Sequence, residues 1–127
     1  IGMILELKVE GIGNEACAIV KRTGFPGPLI YASFLMPELQ RVRQTDPDAK
    51  IMVLQHRRLP PDPVADVVAL DASHVGLHFS TVTPMLLQTY HNLGRQVFVY
   101  TVNESQDIQR MRNLGVDGII SDFPDRI

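Results

Sequence analysis

The sequence predicts an α/β fold, a TIM-type (β/α) barrel of which only the C-terminal five to six strands are present. Six apolar, β-branched runs alternate with segments of helical character along the 127 residues, and this order is typical of a parallel sheet covered by helices. The first run carries two charges on a face that is otherwise apolar. A complete barrel needs about 250 residues, so the chain accounts for about half of one.

The six runs predict six strands. Each run is rich in Val, Ile, Leu, Met or aromatic residues and is bounded by turn-forming residues. The strands are predicted at Met3–Val9, Leu29–Phe34, Lys50–Gln55, His74–Phe79, Gln96–Asn103 and Val116–Ser121.

Two helices are predicted in the first half of the chain. Asn14–Thr23 has apolar residues at helical spacing and is followed by a stretch rich in Gly and Pro, which ends a helix. The second helix runs from Pro37 to Gln44. The segment Ala65–Asp71 is compatible with a short helix or a strand, and the sequence leaves both open.

Two further helices have clear end signals. Thr83 and Pro84 are typical of an N-cap and a first helical position, and Gly94 ends that helix. Asn103 is predicted to cap the last helix, which Gly115 ends.

Composition argues against several classes of protein. The chain is 45% apolar and 20% charged, with a net charge of −2. A balanced charge without a basic run argues against nucleic-acid binding through phosphate contacts. The apolar stretches are far shorter than the roughly 20 residues of a membrane span. The single cysteine, Cys17, cannot form an internal disulfide, which fits a reducing compartment such as the cytoplasm but does not fix the location.

Glu6 and Lys8 are the strongest candidates for functional residues. On the predicted first strand they share one face with Ile4, while the alternate residues form an apolar face that fits beneath helices. Burying a charge without a partner costs several kcal/mol, so a strand that keeps two charges needs a reason. A metal-binding carboxylate beside a cationic anchor for an anionic substrate is one reason, and a structural ion pair is the other.

The remaining candidates are less specific. Phe34 and Tyr100 lie near strand ends, where they would line a pocket or simply pack. The basic sequence His56-Arg57-Arg58 follows a strand and would meet a phosphate or remain a solvated loop. We interpret the four histidines as surface or core residues, because none sits at i, i+4 on a convincing helix face with a carboxylate: His56, His74, His78 and His91.

Three segments, taken in order, are similar to one known family. Leu5-Glu6-Leu7-Lys8 resembles a strand of hydrophobic residue, Glu, hydrophobic residue and Lys, and Ala32-Ser33-Phe34 resembles the Ser-Phe that ends the next strand. The runs 91–103 and 115–124 resemble a Trp-Thr-Val-Asn strand followed by Gly-Val-Asp-Gly-Ile-Ile-Thr-Asp-aromatic-Pro. These are features of the glycerophosphodiester phosphodiesterase family.

The resemblance implies metal-dependent hydrolysis of a small-molecule glycerophosphodiester to an alcohol and glycerol 3-phosphate. It implies that Glu6 is a ligand of a divalent metal, Mg²⁺ or Ca²⁺. It implies a catalytic and substrate-binding role for Lys8. Tyr100 stands where the family usually has a tryptophan that lines the pocket, and Phe34 is implied as a second substrate-binding residue.

The family's catalytic histidines and further metal-binding carboxylates precede the Glu6 strand and are absent from this sequence. One carboxylate is too few for Mg²⁺ or Ca²⁺, which take about six oxygen ligands. We therefore expect residues 1–127 to be the C-terminal part of a single barrel domain, inactive alone, with further residues upstream of Ile1.

Two other functions stay open at this stage. A half-barrel has bare edge strands that would pair with a second copy, so the chain could be a non-catalytic binding or assembly module. An aldolase-type barrel would need a lysine nucleophile. Lys8 is available, but the neighbouring Glu6 would stabilise its protonated form.

Overall fold

The computed structural model describes residues 1–127 and contains one parallel sheet of six strands. The strands are β1 (Met3–Glu6), β2 (Leu29–Ser33), β3 (Lys50–Leu54), β4 (His74–His78), β5 (Gln96–Tyr100) and β6 (Gly118–Ile119). The helices are α1 (Gly13–Thr23), α2 (Met36–Thr45), α3 (Ala65–Ala69), α4 (Pro84–Asn92) and α5 (Ser105–Leu114).

The strands lie in the same order in the sheet as in the chain, from β1 to β6. Right-handed crossovers in an order that never reverses place every helix on the same side of the sheet. An open doubly wound sheet would instead reverse its order at a switch point. The sequential order therefore confirms the barrel segment that the sequence predicts, with six strands.

The main core lies between the outer face of the sheet and the helices. Apolar side chains from alternate strand positions pack there against one face of each helix. From the strands the most buried members are Ile51, Val53, Val75, Leu77, Val97 and Val99, and from the helices Leu39, Val42, Val67, Tyr90, Ile108 and Met111.

The inner face of the sheet carries a second, smaller cluster that no helix covers. Ala32, Met52 and Leu54 are buried in it, with three partly buried apolar neighbours around them. Gly76 faces the same side, and a Cβ at this position would lie 2.5 Å from a methyl carbon of Leu54. The glycine thus leaves room for the large side chains of β3 on the inner face, and a side chain at position 76 would force Leu54 to move.

Strand β1 is shorter than the sequence predicts, and the predicted end at Val9 is wrong. The amide of Leu7 still donates to Ala32 at 2.8 Å, but the carbonyl of Leu7 accepts a hydrogen bond from the Ser33 hydroxyl at 2.6 Å. A side chain thus replaces the next backbone partner, and the ladder stops. Lys8 and Val9 lie beyond it, both exposed.

Two other local predictions are resolved by the structure. The ambiguous segment Ala65–Asp71 contains a helix, α3, rather than a strand. Asn103 is not the N-cap of α5: that position is Glu104, which makes no capping hydrogen bond through its side chain. The Asn103 side chain bonds instead to residues that follow β6.

Candidate active site

The candidate site lies where the C-terminal ends of the strands meet. All pairings are parallel, so residues at the ends of successive strands come together at one edge of the sheet. In a (β/α) barrel this edge carries the chemistry. Five side chains gather along it from five different strands or strand ends: Glu6, Phe34, His56, His78 and Tyr100.

Glu6 is the last residue of β1 and faces the hollow of the sheet. With Phe34, Tyr100 and Thr101 it lines a cavity of about 160 Å³, whose floor is formed by apolar side chains of the inner face. Its carboxylate is exposed and makes no hydrogen bond or ion pair within the chain. Burial raises the pKa of Tyr100, and the Glu6 charge raises it further. Glu6 and Tyr100 thus line the same cavity, from β1 and β5.

Lys8 is not brought to this cavity. Because β1 ends at Glu6, the alternation of faces does not extend to position 8, and the exposed Lys8 side chain forms no ion pair within the chain. The predicted pairing of Glu6 and Lys8 on one strand face is thus not seen. A role of Lys8 toward a substrate stays a prediction.

Aromatic rings form a continuous chain along the same edge. His56 stacks on Phe34 with ring centroids 4.3 Å apart, and Phe34 meets Tyr100 edge-on at 5.9 Å. Tyr100 in turn meets His78 edge-on at 5.8 Å, and His78 stacks on Phe79 at 4.8 Å. We call these five residues the aromatic wall. Such contacts fix ring positions and present a rigid, partly apolar surface.

The hydroxyl of Tyr100 donates a hydrogen bond to the backbone carbonyl of Gln55. The buried Tyr90 contacts the same residue from a helix, with its hydroxyl 3.3 Å from the side-chain oxygen of Gln55. The Tyr90 hydroxyl also donates to the carbonyl of Pro63 at 2.8 Å. Burial raises the pKa of Tyr90 to about 12, so it stays a donor. These bonds fix the loop that carries His56.

The sequence predicts a pocket role for Phe34 and Tyr100, offers His56 only as part of a basic segment that would meet a phosphate, and does not single out His78. The signal was available for His78, since His74, Gly76 and His78 alternate with the core residues Val75 and Leu77. His56 follows β3 in a loop, so no alternation with core residues places it in the wall. The other histidines lie elsewhere: His74 packs on Phe98 at the opposite end of the strands, and His91 pairs with Asp117 at 2.7 Å.

The residues of this chain do not form a complete metal site. Nowhere in residues 1–127 do three or more His, Cys, Asp or Glu side chains converge as metal ligands. Glu6 is exposed and free to supply one oxygen donor, whereas Mg²⁺ and Ca²⁺ require several. The chain by itself therefore does not account for cation binding.

A larger hollow, of about 620 Å³, lies on the outer side of the fold between α1 and the end of α2. It is far from the ends of the strands, where the polar and aromatic side chains gather. The inner edge is thus the better candidate for chemistry, although it is smaller.

The fold and the site define the class as part of a (β/α) barrel with its functional groups at the C-terminal ends of the strands. The model of the glycerophosphoryl diester phosphodiesterase family matches residues 5–126. This chain therefore belongs to that family, as its strand motifs indicate.

Individual relatives agree with the family match. The chain is 28% identical over 117 residues to a glycerophosphodiester phosphodiesterase of Caldanaerobacter subterraneus subsp. tengcongensis, covering 92% of this chain and 48% of the relative. It superposes with a TM-score of 0.87 and 24% identity on an Oleispira antarctica phosphodiesterase in complex with the product sn-glycerol-3-phosphate, covering 100% and 53% of the two chains. It also superposes on a glycerophosphodiester phosphodiesterase of Agrobacterium tumefaciens, with a TM-score of 0.79 and 20% identity. That match covers 98% of this chain and 54% of the relative.

The chain spans about half the length of these relatives. The match to their structures holds across all six strands, because nearly the whole of this chain is covered. None of its helices combines the length and the apolar character that crossing a membrane requires.

Proposed function

We propose that residues 1–127 are the C-terminal part of a single barrel domain that hydrolyses glycerophosphodiesters to an alcohol and glycerol 3-phosphate. The observation that carries the proposal is the inward-facing carboxylate of Glu6 opposite the aromatic wall, at the ends of the strands. Family membership supports the reaction, and the product held by the Oleispira antarctica relative supports a small phosphorylated glycerol as ligand.

In this proposal Glu6, Lys8 and the two aromatic residues have different roles toward the metal and the substrate. Glu6 supplies one carboxylate oxygen to a divalent cation, Mg²⁺ or Ca²⁺, whose other ligands come from residues outside this sequence. Lys8, exposed just beyond β1, adds positive charge that offsets the charge developing on the phosphoryl oxygens. Phe34 and Tyr100 present ring faces to the substrate.

The decisive test uses the full-length gene product and the variant Glu6→Gln. Gln keeps the size of the side chain but removes the charge that binds a hard cation. We expect turnover of a glycerophosphodiester to fall on the order of 100-fold or more, in line with the effects of disturbing a metal site. The assay measures glycerol 3-phosphate release with and without a chelator.

Glu10→Gln is the matched control, because Glu10 is exposed in the loop after β1 and makes no hydrogen bond through its side chain. Its activity should stay within about two-fold of the parent, as expected for an exposed substitution. Glu6→Gln activity within a few-fold of the parent would make Glu6 a structural carboxylate. Turnover that survives complete chelation would remove the metal from the proposal.

The role of Lys8 is tested separately with Lys8→Met, which keeps much of the side-chain length and removes the charge. We expect kcat/KM to fall roughly 10- to 100-fold, since charge-assisted hydrogen bonds to a phosphate contribute about 1.5–3 kcal/mol. Unchanged kcat and KM would show that Lys8 is only a solvated residue. Lys21→Met is the control, because Lys21 is exposed and lies in the last turn of α1, outside the sheet.

A second candidate function rests on the uncovered inner face. The apolar cluster of Ala32, Met52 and Leu54 has no helix over it, and β1 and β6 each have only one neighbouring strand. Unpaired strand edges favour pairing with another chain. We propose self-association through these edges as the alternative, in which the chain acts as a non-catalytic assembly module.

A further inference from the structure

His78 is, with His56, one of the two residues of the aromatic wall whose polar atoms the proposed function leaves unused. It is the last residue of β4 and faces the inner side of the sheet, between Tyr100 and Phe79. The two ring contacts hold its imidazole in one plane. Its position at the C-terminal end of a central strand places it where barrel enzymes bind their ligands.

Ser80 determines which ring nitrogen of His78 carries the hydrogen. The backbone amide of Ser80 donates to Nδ1 at 3.2 Å, and the Ser80 hydroxyl lies 2.7 Å from the same atom. An amide can only donate, so Nδ1 is the acceptor and the hydrogen of the neutral ring is on Nε2. The Nε2 atom has no hydrogen-bond partner within the chain.

The His78 side chain acts as an uncharged hydrogen-bond donor. Partial burial lowers the pKa of the imidazole, and the charge of Arg57 lowers it further. The ring is therefore neutral at pH 7, because even an ordinary histidine has a pKa of about 6.5. A neutral N–H is a good partner for a hydroxyl oxygen, whereas a phosphate oxygen gains more from a cation.

The neighbouring hydroxyl cannot take this role. Tyr100 already donates its O–H to the carbonyl of Gln55, so it has no hydrogen left to donate and presents only its ring to the hollow. Along the contact from Phe34 through Tyr100 to His78, the free polar hydrogen is that on Nε2 of His78. His56, which stacks on the other side of Phe34, also has unbonded ring nitrogens, but no hydrogen bond within the chain fixes which of them carries the hydrogen.

We propose that His78 is a substrate-binding residue whose Nε2–H, oriented by Ser80, donates to a hydroxyl of the glycerol group of the ligand. This assignment rests on the proposed function for its ligand class, a glycerol phosphate or its diester. His78 would then select for a hydroxyl-bearing group next to the phosphate. Glu6 and Lys8 handle the charged part of the ligand.

The first test follows the His78 ring nitrogens by NMR in the full-length protein. The probes are sn-glycerol 3-phosphate, inorganic phosphate and glycerol, each titrated to millimolar concentrations. We expect the free protein to show the Nε2–H tautomer and sn-glycerol 3-phosphate to shift the Nε2 resonance, with a smaller shift from phosphate. The Nδ1–H tautomer, no shift with sn-glycerol 3-phosphate, or an equal shift with phosphate would overturn the assignment.

The second test compares two variants of His78 in the turnover assay. His78→Gln places an N–H close to the position of Nε2, whereas His78→Phe keeps the ring contacts and removes the donor. We expect His78→Phe to lose about 10-fold in kcat/KM, mainly through KM, the size expected for one hydrogen bond. His78→Gln should recover most of this loss.

His91→Gln is the control, since His91 pairs with Asp117 on the outside of the fold. Equal losses in His78→Gln and His78→Phe, or none in either, would contradict the proposal.

The proposed phosphodiesterase reaction and the proposed role of His78 can fail separately. A ligand-induced Nε2 shift in a protein without phosphodiesterase activity would refute the proposed reaction and keep His78 as a binding residue. Full activity of His78→Phe, together with an Nε2 resonance of the parent protein that the ligand does not shift, would refute only the role of His78.

Discussion

Glu38 shows how much of the local structure depends on one carboxylate. Its side chain is fully buried at the start of α2. One oxygen accepts from the amides of Ile12 and Gly13, at 3.0 and 2.9 Å, and the other from the amide of Gly11 at 3.1 Å and from Arg41. Glu38 thereby caps α1 from a different helix and fixes the loop that leads from Lys8 into α1.

Replacement of Glu38 by Gln is expected to lower stability at neutral pH and to change its pH dependence. The amide hydrogen bonds, followed by the charge of Arg41, hold the pKa of Glu38 below its usual range. A lowered pKa in the folded state stabilises the protein above the usual pKa of about 4.3, and this contribution is lost as the pH falls through the folded-state value. The difference in Tm between parent and variant should therefore be largest near pH 7 and shrink in acid.

Thermal unfolding of both proteins from pH 7 to pH 3 measures this difference. Glu104→Gln serves as the control, because Glu104 is exposed and makes no side-chain hydrogen bond. A Tm difference that does not change with pH would mean that the charge of Glu38 contributes nothing and that only its size matters.

Residues whose pattern is local could be predicted from the sequence, whereas residues whose partners are distant along the chain could not. Glu6 stood out because a charge interrupts an apolar strand, and its inward direction was correctly predicted. Glu38 resembled any acidic residue in a first helical turn, since its partners are 25 to 27 residues away. The place of His56 in the aromatic wall was not predicted for the same reason, because its stacking partner Phe34 follows a different strand.

At the scale of elements, Asn103 connects the ends of β5 and β6. Its side-chain oxygen accepts from the Ser121 hydroxyl at 3.1 Å and from the amide of Asp122 at 3.0 Å. Its side-chain nitrogen donates to the Asp122 carboxylate at 3.1 Å. Strand β6 has only two residues, and these bonds add to the backbone hydrogen bonds that join it and its neighbours to β5.

Asn103→Asp is expected to destabilise the protein by about 1 kcal/mol, since it replaces one hydrogen-bond donor by a charge that repels Asp122. The change keeps the acceptor oxygen and nearly the same shape. Chemical denaturation of the single variants and of Asn103→Asp combined with Asp122→Asn measures the coupling. Recovery in the double variant is expected, and strictly additive losses would show that the two side chains do not interact.

Thr83→Ala tests an element that the sequence predicted correctly. The Thr83 hydroxyl accepts from the amide of Leu86 at 3.1 Å and caps α4. Loss of this bond should cost about 1 kcal/mol of unfolding free energy, measured by denaturation. A change below a few tenths of a kcal/mol would mean that water replaces the cap.

The elements could be predicted because apolar periodicity and cap residues are local signals. The ends of the strands could not, because they depend on tertiary partners. Strand β1 stops where the Ser33 hydroxyl takes the carbonyl of Leu7, and nothing near Leu7 in the sequence indicates this. Asn103 has the composition of an N-cap, but bonds across the sheet outcompete that local role.

For the whole molecule, the uncovered inner face distinguishes the two proposed functions. The isolated 127-residue chain has two open sheet edges and a partly exposed apolar floor. If it is part of a barrel domain, we expect the isolated chain to aggregate or bind a hydrophobic dye, because burying apolar surface is worth about 25 cal/mol per Å². If it is an assembly module, a folded dimer of defined mass should form.

Analytical ultracentrifugation of the isolated chain, together with the dye measurement, separates these outcomes. Ile4→Lys is a useful variant, since Ile4 lies on the inner face of the edge strand β1. It should dissociate a dimer built on that face. A stable, non-associating monomer that binds no dye would contradict both expectations about the inner face.

The sequential order of the strands also affects how the chain folds. Each strand pairs only with the strands before and after it along the chain, so every pairing closes a short loop of one helical crossover. Short closures cost little chain entropy and favour rapid folding relative to sheets built from distant segments. The six strands can thus pair one after another during folding, because each adds to an edge strand that directly precedes it in the chain.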